Sequence, residues 1–139
     1  MKFALVSAGL LLALSTAPAG LPAAAGCDWR EPPRTYPAGA RWTCTAADWP
    51  DGDTLDAECA GRAGTVAIRI RRVDTDERGH GRWWQAREAL RRWTAGHALT
   101  VVPHHDSHRR VVADVLTGGV NVGAAMDAAG WSKAECPKR

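Results

Sequence analysis

Thr65-Val66-Ala67-Ile68-Arg69-Ile70, followed directly by Arg71-Arg72-Val73-Asp74-Thr75-Asp76-Glu77, is the stretch on which the reading of the fold turns. Val66, Ile68 and Ile70 alternate with Ala67, Arg69 and Arg71. That is the period of a strand with one face in a core and the other open to charge. Upstream, residues 41–46 and 54–59 read as two more strands joined by the Pro50-Asp51-Gly52 turn. Downstream, the polar loop 74–81 leads to a helix over 82–95, where Trp83, Ala86, Ala89, Leu90 and Trp93 recur at helical spacing as core positions and Gly96 stops the run. Residues 98–102 make a fourth strand and 103–108 a polar loop that leaves His104, His105 and His108 as surface histidines. Residues 110–116 make a fifth strand with Val111, Ala113 and Val115 inward. Gly118-Gly119 then turns the chain into a last short helix carrying Val122, Ala125, Met126 and Ala129 and ending at Gly130.

Strands and helices do not alternate in this order, so a doubly wound parallel sheet is excluded. The expected architecture is α+β: a small five-stranded OB-type Greek-key β-barrel with two helices packed on it. The 139 residues, 45% hydrophobic and 24% charged, suit one globular domain and exclude collagen, coiled coil and low-complexity classes. A net charge of only +3 means that any pull on a polyanion must come from where the cations are placed. Fifteen of the eighteen Lys and Arg are Arg, whose planar fork binds phosphate or carboxylate through two hydrogen bonds.

Lys2, the apolar run from Phe3 to Leu14 and the small residues through Ala23-Ala24-Ala25-Gly26 read as a signal peptide over residues 1–26, leaving 27–139 as the mature domain. The apolar run is too short to span a bilayer, so no stable membrane insertion is expected. Secretion or a periplasmic location follows. Because Ala24-Ala25-Gly26-Cys27 also resembles the end of a lipobox, with Ala24 in place of a large aliphatic residue, lipid attachment through Cys27 is the alternative. In an exported chain the even set Cys27, Cys44, Cys59 and Cys136, with no C-x-x-C spacing, favours two disulfides over a zinc site. Three pairings exist. The turn between Cys44 and Cys59 favours that pair, which leaves Cys27 with Cys136.

Three segments carry the chemistry: Asp51-Gly52-Asp53-Thr54, then Arg69 five residues before Asp74-Thr75-Asp76-Glu77, then Asp106-Ser107-His108-Arg109-Arg110. Hydrolysis of a phosphodiester needs positive charge against the phosphoryl oxygens, and carboxylates holding a hard cation beside guanidinium groups supply it. In order and spacing the segments resemble the thermonuclease family, the staphylococcal-nuclease-like OB-fold nucleases, whose pattern is D-G-D-T, R-x-x-x-x-D-T-P-E and D-x-Y-G-R. The resemblance spans residues 44–131. It implies a calcium-dependent nuclease, expected as a monomer, that cuts DNA or RNA with little sequence preference and leaves 3′-phosphate ends. Asp53, Asp74 and the backbone carbonyl of Thr75 would hold Ca2+, Arg69 and Arg110 would grip the scissile phosphate, and Glu77 would activate or orient the attacking water.

The sequence departs from the pattern at three positions. Asp76 replaces Pro, removing a fixed φ from the loop that aims Glu77 and adding a third carboxylate that either tightens metal binding or misplaces the base. His108 replaces Tyr and Arg109 replaces Gly, which weakens a stacking surface and leaves two arginines as candidate clamps, Arg110 being the one the count favours. Plainer readings exist for each piece alone: a solvated acidic loop, an Arg69 paired with Asp56 or Glu58, an Arg110 that is one exposed cation among many. A rival from another class is a catalytically inactive module on the same barrel that binds nucleic acid or another polyanion. Glu77-Arg78-Gly79-His80, with Asn121 downstream, also mimics the D-R-G-H of a second class of secreted nuclease, for which the chain is too short. Trp29, Trp49 and Trp84 are candidates to stack on bases.

Overall fold

Cys44 stands directly opposite Cys59 across an antiparallel pair of strands, and the two form a disulfide with Cα atoms 4.0 Å apart. In the chain-entropy account, closing a loop of this length stabilises the fold by about 3 kcal/mol. The computed structural model of the chain describes residues 31–133; the expected signal peptide and the Cys27–Cys136 pairing lie outside the described residues. The elements are β1 (Trp42–Asp48), β2 (Thr54–Cys59), β3 (Thr65–Ile70), α1 (Trp83–Thr94), β4 (Leu99–Ser107), β5 (Arg110–Thr117), β6 (Val120–Asn121) and α2 (Val122–Ala128). Strands follow the order β3-β2-β1-β4-β5, and a parallel pairing of β3 with β5 closes the ring. The result is a closed five-stranded mixed barrel of the OB type with two helices, to which the two-residue β6 adds a short antiparallel flap on β5.

Alternation explains the barrel interior. Leu55, Ala57, Ile68, Ile70, Leu99, Val101, Ala113 and Val115 are buried together, with Val122 and Met126 of α2 packed on them. Gly123 permits this close approach, because a Cβ there would come within 2.7 Å of the carbonyl oxygen of Arg71. From α1 the core receives Ala86, Ala89 and Leu90. Two tryptophans expected beside them do not enter it: Trp83 is half-buried, and Trp93 is 36% exposed. The small alanines of α1 set the helix close to the barrel, and the bulky rings fall to the flanks of the contact.

The fourth strand runs five residues further than its sequence suggested. Pro103 reads as a strand breaker, yet β4 continues to Ser107 through a register shift between Pro103 and His105. A bulge accommodates proline because one ladder hydrogen bond is already lost there. His104 and His105 are therefore buried rather than on the surface, with their Nδ1 atoms 2.7 Å apart, so that one ring donates to the other. Burial first, and then the neighbouring Arg71, hold His104 below the usual histidine range. The His104 carbonyl accepts from the backbone N–H groups of both Thr35 and Tyr36, which ties the proline-containing lead-in to the barrel.

Candidate functional site

The site is built where β2 begins and β3 ends. Antiparallel pairing puts Thr54 opposite Arg69, and the parallel strand β5 places Val112 beside Arg69, two residues from Arg110. The Asp51-Gly52-Asp53 turn enters β2 with the Asp53 N–H donating to Asp51 Oδ1 at 3.1 Å, a local Asx-type bond that shapes the turn. Gly52 is required by space: a Cβ there would lie 2.6 Å from Ala86 Cβ and 2.9 Å from Thr75 Oγ1. The turn is thus seated directly on α1 and on the 74–81 loop.

Asp51, Asp53, Arg69, Asp74, Thr75, Glu77, Arg78 and Arg110 line one cleft of about 440 Å³. All six residues singled out in the sequence are among them. Asp53 is buried, and its Oδ2 accepts from the Thr75 N–H at 3.0 Å. Burial pushes its carboxyl up to about 7, with Asp51 adding to the rise and Arg69 and the Thr75 N–H opposing it. Arg69 Nη2 lies 3.3 Å from both Asp53 Oδ2 and Asp74 Oδ1, so the two carboxylates converge on one point. The Nη1 side of the same guanidinium donates to the carbonyls of Ile70 and Val73 at 2.6 Å each. Arg69 is accordingly part of the cleft wall rather than a free arm, and it pairs with neither Asp56 nor Glu58. Thr54 Oγ1 donates to Asp53 Oδ1 and accepts a long, 3.5 Å contact from Arg110 Nη1, linking Arg110 to the buried carboxylate. Glu77, with its side chain 81% exposed, stands at the mouth.

The departures from the family pattern have local consequences. Asp76 does not join the cleft; its Oδ2 accepts from the Arg82 backbone N–H at 2.7 Å, at the start of α1. The helix has no side-chain cap of its own, so Asp76 satisfies a donor that would otherwise be orphaned. His108 and Arg109 form the two-residue link between β4 and β5, with φ of 51° and 64°. Both lie in the left-handed region, as a type I′ hairpin turn requires. Arg109 is thereby held at the exposed turn while Arg110 lines the cleft. Asn121 belongs elsewhere: its Oδ1 caps α2 by accepting from the Ala124 N–H.

Two cleft residues and one neighbour of the cleft had no assigned role in the sequence reading: Asp51 entered only within its turn segment and Arg78 only within Glu77-Arg78-Gly79-His80. Lys133 had no signal beyond following the stop at Gly130. Its Nζ lies 3.7 Å from both Asp74 Oδ2 and Glu77 Oε1, and its backbone N–H donates to the Asp74 carbonyl at 2.7 Å.

Among the described residues, no three His, Cys, Asp or Glu side chains come together as a metal cage. Two carboxylates and a backbone carbonyl are donors of the kind that could hold a hard ion such as Ca2+, which takes six to eight oxygens and would draw the rest from water. Asp53 and Asp74, brought together on either side of Arg69 Nη2, are the carboxylates that could share such an ion. No family model matches the chain, and no curated protein matches it.

Proposed function

We propose that the protein is an exported, calcium-dependent nuclease that hydrolyses phosphodiester bonds of DNA or RNA and leaves 3′-phosphate ends. One observation carries the reading: residues from three separate segments, Asp53, then Arg69 with Asp74, Thr75 and Glu77, then Arg110, line a single cleft. The Cys44–Cys59 disulfide is in keeping with an oxidising compartment. No helix among the described residues is long and apolar enough to cross a membrane.

In this reading Asp53, Asp74 and the Thr75 carbonyl hold Ca2+, which when bound supplies fixed positive charge against a phosphoryl oxygen. Arg69 presents Nη2 to the substrate phosphate from a guanidinium already fixed by two backbone carbonyls, so little side-chain freedom is lost on binding. Arg110 closes on the same phosphate from β5, where its planar fork matches two oxygens. Glu77 at the mouth accepts the proton of the attacking water on a carboxylate oxygen. Water attacks phosphorus on the side opposite the 5′-oxygen; the bond to that oxygen breaks, the oxygen leaves as a 5′-hydroxyl with a proton taken from solvent water, and the phosphate stays on the 3′ side.

The test is digestion of single-stranded DNA by the mature protein with calcium, with and without chelator, beside Glu77→Gln and Arg110→Ala. Chelator-sensitive cleavage, reduced at least 100-fold in each variant, is expected. Retention of DNA without cleavage would replace the reading by the binding-module alternative.

A further inference from the structure

On and beside α1 lie three tryptophan rings, Trp83 and Trp84 from the helix and Trp49 from the segment after β1, each with an arginine over it. The Arg87 guanidinium carbon sits 4.8 Å from the Trp84 ring centre, that of Arg91 5.6 Å from Trp49, and that of Arg78 5.6 Å from Trp83. Trp83 and Trp84 meet edge to face at 5.5 Å. None of these rings is wholly taken into the core, and Trp84 is 53% exposed. The platform is held rather than loose. Trp83 Nε1 donates to the Pro50 carbonyl, Trp49 Nε1 to Thr94 Oγ1, and Arg87 Nε to the Trp49 carbonyl at 2.6 Å. Glu88 is the acidic partner on this face, and it is shared between Arg87 and Arg91.

We propose that this face, from Trp83 and Trp84 to Arg91, is a second binding surface for single-stranded nucleic acid, continuous with the cleft through Arg78. Arg78 belongs to both places, since it lines the cleft and covers Trp83. Three arginines against one glutamate give the face positive charge, and the exposed Trp84 ring offers flat surface on which any base can stack. An arginine lying on an indole is oriented before a ligand arrives; Arg87 is already bonded to the Trp49 carbonyl and Glu88, whereas Arg91, exposed and only 3.6 Å from Glu88, is the one placed to meet a phosphate. From Trp84 to Arg91 the helix advances about 10 Å, room for roughly three stacked nucleotides. The surface deepens the nuclease reading, in that it would hold the strand beyond the bond being cut, but its binding is measurable without cleavage.

The experiment measures quenching of tryptophan fluorescence by oligothymidylates of two and twelve nucleotides in chelator, and calcium-dependent cleavage of the dinucleotide separately. Trp84→Ala and Arg91→Gln are the variants, both at exposed positions. Each is expected to weaken binding of the 12-mer about tenfold, to leave binding and cleavage of the dinucleotide unchanged, and, for Arg91→Gln, to reduce the salt dependence by about one phosphate contact. Trp84→Phe keeps a ring and should recover most of the lost affinity. Wild-type affinity for the 12-mer in both variants would overturn the proposal, as would loss of binding to phosphatidylglycerol vesicles in Trp84→Ala with 12-mer binding intact. If no protein cleaves either substrate while the 12-mer difference persists, the nuclease reading fails and the surface stands.

Discussion

Arg69 Nη2 lies 3.3 Å from Asp53 Oδ2, so the buried carboxylate of the cleft is balanced by a guanidinium that two backbone carbonyls hold in place. The balance is incomplete, because burial still pushes Asp53 from 3.8 up to about 7. Between those values the folded protein retains a proton on Asp53 that the unfolded chain has released. Stability therefore falls as pH rises across that interval, the reverse of an ordinary paired carboxylate. Asp53→Asn removes the effect. By urea unfolding in chelator, the variant should match the parent near pH 4 and exceed it by as much as about 4 kcal/mol at pH 8. Parallel pH profiles would mean that Arg69 already cancels the burial penalty.

Asp76 stands in the loop that presents Glu77 and ends that loop by bonding to the Arg82 N–H. The contact is tight: a Cβ on Gly81, which has φ of 48°, would come within 2.5 Å of Asp76 Oδ2. Asp76→Ala should destabilise the protein by about 1 kcal/mol, the usual loss for a helix-terminal acceptor. Asp76→Pro, which introduces the residue found at this place in the thermonuclease pattern, should lose the same bond and gain no stability. Thermal unfolding of the two variants beside the parent checks both statements.

Arg109 adopts φ of 64° at an exposed turn, where a side chain gains nothing from burial. Left-handed backbone costs an ordinary L-residue about 1 kcal/mol, and glycine adopts it freely. Arg109→Gly should accordingly raise stability by about 1 kcal/mol, read as a higher melting temperature, while leaving the Arg110 clamp in place. A lower melting temperature would show that the Arg109 side chain makes a stabilising contact at the hairpin.

Period and spacing were enough to read the barrel. Val66, Ile68 and Ile70 declared which face of β3 was inside, and that fixed Arg69 on the other. The site segments were singled out by their resemblance to the thermonuclease pattern, since turn chemistry and strand period alone left a structural reading open for each; the fold then places Asp53, Arg69 and Asp74 at strand ends that meet. Other features depended on contacts that a linear pattern does not carry. Pro103 marks a break by propensity, but a bulge opposite β5 absorbs it, and two histidines go inside as a result. Trp93 fits the helical period of a core residue, yet the narrow contact made by Ala86 and Ala89 leaves it at the margin. Lys133 is more than fifty residues from its carboxylate partners, and only the packing of α2 brings the following segment back to them.

Lys133 supplies the last prediction. Its ammonium lies 3.7 Å from one oxygen each of Asp74 and Glu77, occupying space beside the carboxylate assigned to calcium. A like charge a few ångströms from a cation in high dielectric opposes it by about 1 kcal/mol. Lys133→Met should therefore tighten calcium binding about fivefold, measured by calorimetry on the whole mature protein. Glu77 is exposed and loses its cationic neighbour in the same substitution, so turnover of single-stranded DNA should fall even at saturating calcium. Tighter calcium binding with unchanged turnover would assign Lys133 to the metal alone. Weaker binding would mean that the ammonium holds Asp74 in its ligating position instead of competing for it.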